Sequence, residues 1–294
     1  MMPSIEILNP ASLSETLKIL SYENGNIKII AGGTDILTGL KQGSKRFAGT
    51  EMLVDINSVP ELKGIEVSDG KISIGAAETF STVYKNPLIA QHLPLLTKAA
   101  GTVGSLQIRN RATIAGNFTN NAPCADAVPV LLVYDAGLEI ESWGAKRKVA
   151  LSEFLQEPYK TQLRKNEIVT RINIPLPPDK LNGDFYKLGR RRAVAVSRIT
   201  LAVLIGLNGT VIDEIRIASG AVTPIGMRFK EIEKFAEGKE VSDKLLKTIA
   251  VELGEEVIKV TGLRWSSAYK LPVMQQMMYQ LLHSVVSLKS EITK

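Results

Sequence analysis

Early in the chain, apolar residues fall at helical spacing. Leu13, Leu17 and Leu20 recur behind Ser12 and Ser14, either of which can cap a short helix over 12–22. The pattern then shortens. Residues 27–31 (IKIIA) form a β-like run that stops abruptly in Gly32-Gly33-Thr34-Asp35, and 52–56 read as another strand. Residues 63–67 and 71–75, separated by Ser68-Asp69-Gly70, predict a hairpin with an Asp-Gly turn. One helix is predicted over 88–100. The run VLLVYDA after Pro129 predicts a buried helix that tolerates the proline in its first turn. Strands are expected at 137–142 and 167–174.

Three prolines and an Asn-Gly between Pro175 and Gly183 mark the expected boundary: one unit over 1–176, a linker over 177–183 and a second unit over 184–294. Beyond it the pattern gives strands at 185–188, 199–207 and 211–218, the last two joined by an Asn208-Gly209 turn. Helices follow at 229–236, 243–260 and 269–288. Strands followed by helices, rather than alternation, argue for an α+β unit. The last helix carries Met274, Met277, Met278, Leu281 and Leu282, adaptable apolar residues that suit a core or a partner's groove.

Composition narrows the class. A chain of 294 residues exceeds one comfortable core, and 45% hydrophobic with 22% charged residues is globular. The net charge of +6 is modest, and the aromatics (5%) are not interleaved with basic residues, so no nucleic-acid stacking surface is expected. Cys124 is the single cysteine, which rules out an intrachain disulfide and any four-cysteine cluster built from this chain alone. Charges come early and no long apolar run follows, so neither a signal peptide nor a membrane span is expected, and a cytoplasmic location is.

The chemistry concentrates in 102–129, TVGSLQIRNRATIAGNFTNNAPCADAVP, where small and polar side chains sit between core-like runs. Such loops suit an extended anion. Ala31-Gly32-Gly33-Thr34-Asp35 lets the backbone turn sharply and present several N–H groups, although alone it also reads as a plain tight turn. It is neither a G-x-G-x-x-G fingerprint nor a Walker loop. In Thr113-Ile114-Ala115-Gly116-Asn117, small residues let the main chain approach a ligand, while the hydroxyl and amide can bond phosphate or ribose oxygens; a turn between strands is the alternative. Arg109 and Arg111 are candidates to neutralise a phosphate, or plain surface. Asp126 reads as a helix cap, as a partner for sugar hydroxyls, or as both. His92 and His283 have no evident acid–base or metal partner, and no Ser-His-Asp, paired-carboxylate or metal-ligand constellation is visible.

The order AGGTD, QIRNRATIAGN, APCADAVP resembles the FAD-binding medium subunit of the molybdenum hydroxylases, the carbon monoxide dehydrogenase, xanthine dehydrogenase and aldehyde oxidoreductase group. Glu167-Ile-Val-Thr-Arg-Ile-Asn-Ile-Pro175, Lys187-Leu-Gly-Arg190-Arg191 with Val196-Ser197, and Ser267-Ala268-Tyr269-Lys270 extend the likeness over nearly the whole chain. The resemblance implies an α+β protein: a PCMH-type FAD-binding domain of two α/β subdomains, related to the vanillyl-alcohol oxidases, plus a smaller C-terminal α+β domain. It implies that Ile29, Ile30, Ala31, Gly32, Gly33, Thr34, Asp35 and Ile36 wrap the pyrophosphate. Thr113, Ile114, Ala115, Gly116 and Asn117 would complete the clamp, with Ala115 standing where the family often has glycine. Asp126 would contact the hydroxyl-rich portion, and Val103, Val169 and Lys187 would line the adenine and isoalloxazine ends. Neither histidine lies near a loop, so the FAD is expected to be noncovalent.

The implied role is electron transfer. Substrate is oxidised at molybdenum on a large partner subunit, electrons cross 2Fe–2S clusters on a small one, and FAD here discharges them to an external acceptor. No catalytic side chain and no metal ligand of this chain is expected. The alternative is a self-sufficient flavin oxidase or reductase, which needs its own substrate pocket and polar catalytic groups. The mostly apolar strands and helices after the linker speak against it.

Overall fold

The computed structural model describes residues 5–22, 26–191 and 194–292. The first lobe is a parallel sheet in which Met52–Asp55 lies between Glu6–Leu8 and Ile27–Ile30. Helix Leu13–Leu20 makes the first crossover; its Ser12 cap accepts from Glu15 N at 3.1 Å, and Leu17 and Leu20 pack with Val54 and Ile56. Helix Ile36–Lys41 and the 3-10 turn Lys45–Phe47 make the second.

The second lobe is a five-stranded antiparallel sheet in the order Ile65–Ser68, Lys71–Gly75, Ile168–Pro175, Gly137–Ser142, Ala145–Ala150. The Asp-Gly hairpin forms as expected: Asp69 (φ 50°) and Gly70 (φ 71°) are both left-handed, as a two-residue type I′ turn requires. On the central strand Ile172 faces Ile74 on one side and Leu138 on the other, all three buried. Helices between residues 80 and 133 pack on this sheet, sharing one core through Leu96, Phe118 and Leu131. The single helix expected over 88–100 is in fact two, Pro87–His92 and Pro94–Thr102. Pro94 bars helical backbone at the residue before it, and Leu93 turns aside at φ −132°, ψ 57°.

The third layer is an antiparallel sheet, Leu181–Gly189, Ser197–Asn208, Val211–Gly220 and Met227–Arg228, beneath helices Lys230–Ala236, Asp243–Thr261 and Ser267–Ile292. The Asn182-Gly183 pair read as part of the linker lies inside the first strand. A Cβ on Gly183 would stand 2.1 Å from the Val203 carbonyl oxygen, so the glycine permits a close strand approach rather than a turn. Strand alternation gives this sheet two duties. Phe185, Ala202, Leu204 and Ala218 join the core of the second lobe, while Leu201, Val203, Ile205 and Ile217 pack under the helices. Met274, Met278, Leu281 and Leu282 are fully buried there, which makes that stripe core. The fold is therefore two α/β subdomains plus a smaller α+β domain.

Candidate cofactor site

Strand Ile27–Ile30 ends where the chain needs freedom. Gly33 is left-handed (φ 72°), and the N–H groups of Gly32, Gly33, Thr34, Asp35 and Ile36 donate to no acceptor among the described residues. Consecutive free N–H groups about a left-handed glycine make an anion nest. Gly32 has a second reason to be glycine. A Cβ there would stand 2.0 Å from the Arg111 carbonyl oxygen and 2.8 Å from Ala112 Cα, so the loop lies directly against the second segment.

That second segment is not the strand-to-strand turn considered from sequence. Thr113 caps the short helix Ile114–Asn120, its Oγ1 accepting from Gly116 N at 3.1 Å. The segment is tied to residues 78–80 by Ile114 N to Glu78 O and Phe80 N to Ala112 O, both 3.0 Å. Asn117 N donates to Thr113 O at 3.1 Å. Its side-chain Oδ1, in contrast, is buried without a partner among the described residues. A buried acceptor left unpaired is costly, so it marks a place where a ligand donor fits.

Both segments open onto one cavity of about 660 Å³, a volume typical of cofactor sites. Of the residues expected to hold the cofactor, Ile29, Ala31–Ile36, Val103, Thr113, Ala115–Asn117 and Val169 line it. Ile30 and Ile114 do not; both are buried core. Asp126 and Lys187 do not line it either. Apolar walls come from Phe80, Val103, Ile108, Leu163 and Val169. Every lining residue precedes Thr170, so the third layer contributes none.

The arginines singled out from sequence are elsewhere. Arg109 Nη1 donates to the Val103 and Gly104 carbonyls at 3.1 and 3.3 Å, Arg111 is exposed, and neither lines the cavity. The cations that do are Lys28, Arg46, Arg164 and Lys165. Arg46 grips both oxygens of Asp35 at 3.1 and 3.3 Å, donates to Asn120 Oδ1 at 2.7 Å, and lies 4.2 Å above the Tyr159 ring. Sequence reading missed this cluster because its members are dispersed over more than a hundred residues. Nor did it predict helix Ile36–Lys41, which is only six residues long.

Asp126 makes no side-chain cap hydrogen bond to its helix. Instead its Oδ2 accepts from Lys187 Nζ at 2.5 Å and its Oδ1 from Ser197 Oγ, while Lys187 Nζ also donates to Thr102 O at 2.9 Å. The trio joins the second lobe to the third-layer sheet. Burial pushes the Asp126 carboxyl up from its ordinary value, against the opposing pull of Lys187 and Ser197. Burial and the Asp126 charge also push the Cys124 thiol up, the reverse of an activated nucleophile. Among the described residues no three His, Cys, Asp or Glu side chains are placed to hold a metal, and no helix is long and apolar enough to cross a membrane.

An anion nest facing a small-residue segment across one cavity, on two α/β lobes, is the geometry of a dinucleotide-binding protein. Residues 3–177 match the FAD binding domain in molybdopterin dehydrogenase, and residues 184–285 match the CO dehydrogenase flavoprotein C-terminal domain. The chain belongs to this family of FAD-binding oxidoreductase subunits. It is 31% identical over 279 residues to the xanthine dehydrogenase FAD-binding subunit of Escherichia coli, covering 94% of each chain. It is 32% identical over 275 residues to the glyceraldehyde dehydrogenase medium chain of Sulfolobus acidocaldarius, covering 93% of this chain and 95% of that one. Among solved structures, carbon monoxide dehydrogenase from Hydrogenophaga pseudoflava matches with a TM-score of 0.90 at 27% identity, over 98% of this chain and 99% of that one.

Proposed function

We propose that this chain is the FAD-carrying electron-transfer subunit of a molybdenum hydroxylase complex. It would accept electrons from 2Fe–2S clusters on a small partner and release them to an external acceptor, with substrate oxidised on a large molybdenum-binding partner. The observation that carries the reading is the row of five N–H groups from Gly32 to Ile36, unpaired among the described residues, at the edge of a cavity large enough for a cofactor. Bound FAD supplies the two-electron to one-electron redox chemistry.

The chain's own residues bind and shape. The nest donates to the diphosphate, and Asn117 Oδ1 accepts from a ligand hydroxyl or amine. Val103 and Val169 give the ring systems apolar walls, and Gly32 lets the two lobes close on one ligand. Asp126 and Lys187 act on the site from behind, as the buried tie between the flavin lobes and the C-terminal sheet. The units 1–176 and 184–294 serve as the flavin domain and the domain braced against it. In this reading the chain is cytoplasmic and its FAD is noncovalent.

The test is purification of the chain after co-expression with its partners. Yellow, flavin-type absorbance that leaves the protein on acid precipitation is expected, together with bleaching by the complex's substrate only when all subunits are present. A colourless preparation overturns the reading. Turnover of alcohols or aldehydes by the isolated chain points to the oxidase alternative.

A further inference from the structure

Arg46 does more than line the cavity. It sits in the 3-10 turn of the first lobe, yet three of its contacts lie elsewhere along the wall: Asp35 beside the nest, Asn120 at the end of the second segment's helix, and the Tyr159 ring between strands Leu155–Glu157 and Lys160–Thr161. Phe47 covers a further side of the guanidinium, 4.9 Å from its ring centroid. Tyr159 is itself held in place, with a left-handed backbone (φ 62°) and its N–H donating to Asn121 O at 2.9 Å. All these side chains except Asn121 line the cavity.

Two physical consequences follow. First, Asp35 is an anion at the rim of a nest built for anions, and the guanidinium, donating from Nη2 to both carboxylate oxygens, neutralises it and fixes its direction. Second, Arg46 is the bridge from the first lobe to Asn120 and Tyr159 of the second. A lone exposed ion pair contributes little, and Arg46 and Asp35 are 34% and 44% exposed. A planar fork that holds two lobes together over a cavity is different, because what it resists is the opening that lets a ligand out.

We propose that Arg46 is the retention latch of the dinucleotide site: it pins Asp35, closes the first lobe onto Asn120 and Tyr159, and so sets the rate at which bound FAD escapes. This rests on the FAD reading above. It concerns the rate of release, not which ligand is bound.

The experiment follows FAD release from the full-length chain as the recovery of free-flavin fluorescence after dilution, for wild type, Arg46→Ala and Arg46→Lys, at low and high salt. Thermal unfolding of the FAD-free proteins is measured alongside. Removing the fork and its charge-assisted bonds is expected to speed release about tenfold in Arg46→Ala, with Arg46→Lys between it and wild type. Added salt should speed release of the wild type and leave Arg46→Ala nearly unchanged. The FAD-free proteins should unfold at closely similar temperatures, which a merely structural arginine does not allow. Should Arg46→Ala fail to fold, the double variant Asn120→Ala/Tyr159→Leu keeps the arginine, removes what it latches onto, and is expected to show the same faster release. Wild-type release rates in Arg46→Ala or in the double variant overturn the latch while leaving the FAD assignment intact. Failure of the wild type to retain any FAD overturns both.

Discussion

Residues 31–36 and 113–117 look alike in sequence, small and polar with a glycine at the centre, and the structure uses them in opposite ways. The first keeps its donors outward: five consecutive N–H groups have no partner among the described residues. The second folds three of its five N–H donors inward. Thr113 receives the Gly116 and Asn117 N–H groups and Glu78 receives that of Ile114, which leaves the Thr113 and Ala115 N–H groups and the Asn117 Oδ1 without a partner among the described residues. The lesson is that composition identifies a ligand-facing segment, whereas the accounting of backbone hydrogen bonds decides whether it grips the ligand or only shapes the wall.

The contrast breaks most visibly at the two glycines. A side chain on Gly32 meets Arg111 and Ala112 backbone at 2.0–2.8 Å, and neither can yield without parting the lobes. Gly32→Val is expected to weaken FAD binding by about a hundredfold or more, read by fluorescence titration, as a clash of this kind in a packed site requires. A Cβ on Gly116 meets only the Thr113 hydroxyl, at 2.8 Å, so Gly116→Ala should change affinity by no more than about threefold. Equal losses in the two variants would show that both segments grip alike.

Asn117→Ala comes next. Its amide oxygen is buried and has no partner among the described residues, so truncation should lower FAD affinity about tenfold and leave the FAD-free chain as stable as before, or slightly more so. Loss of stability without loss of affinity would assign Asn117 to the scaffold.

Much of the frame was legible because its signals are local. The Asp-Gly hairpin, the Ser12 cap and the apolar run after Pro129 each depend on neighbours within a few residues, and each folds as its pattern dictates. The misreadings came where partners are distant. Asp126 looked like a cap since a helix follows it, but Lys187 and Ser197, sixty and more residues away, claim the carboxylate. Arg109 and Arg111 drew attention by proximity to the glycine segment, while the cavity cation that spans both lobes is Arg46, placed by a turn of the first lobe. Asn182-Gly183 read as part of a linker because Gly's second use, close strand approach, leaves no mark in a single sequence.

Thr113→Ala tests whether the second segment is scaffold first. Losing the cap costs about 1 kcal/mol of stability, a drop of about 2–4 °C in melting temperature for a chain of this size. FAD affinity should fall only about twofold to threefold, since the freed Gly116 N–H can turn to the ligand. A large affinity loss at unchanged melting temperature would reverse the roles assigned to cap and cradle.

The smallest effect on the cofactor is expected at Glu167, in the wall next to strand Ile168–Pro175, and there the pH dependence separates wall from cradle. Arg147 grips both oxygens of Glu167 at 2.8 Å and the Arg164 N–H donates at 2.9 Å, which holds the carboxyl below its ordinary 4.5 against the effect of burial. Below that value the unfolded chain takes up a proton more readily than the folded one. The contribution of Glu167 is therefore fully present above pH 4.5 and lost as pH falls through the depressed value. Glu167→Gln should cost about 2 kcal/mol at pH 7 in urea unfolding, with FAD affinity within about twofold of wild type. The stability gap between the two proteins should close on acidification. A gap that stays constant with pH would mean that packing, not the Arg147 ion pair, is what Glu167 supplies.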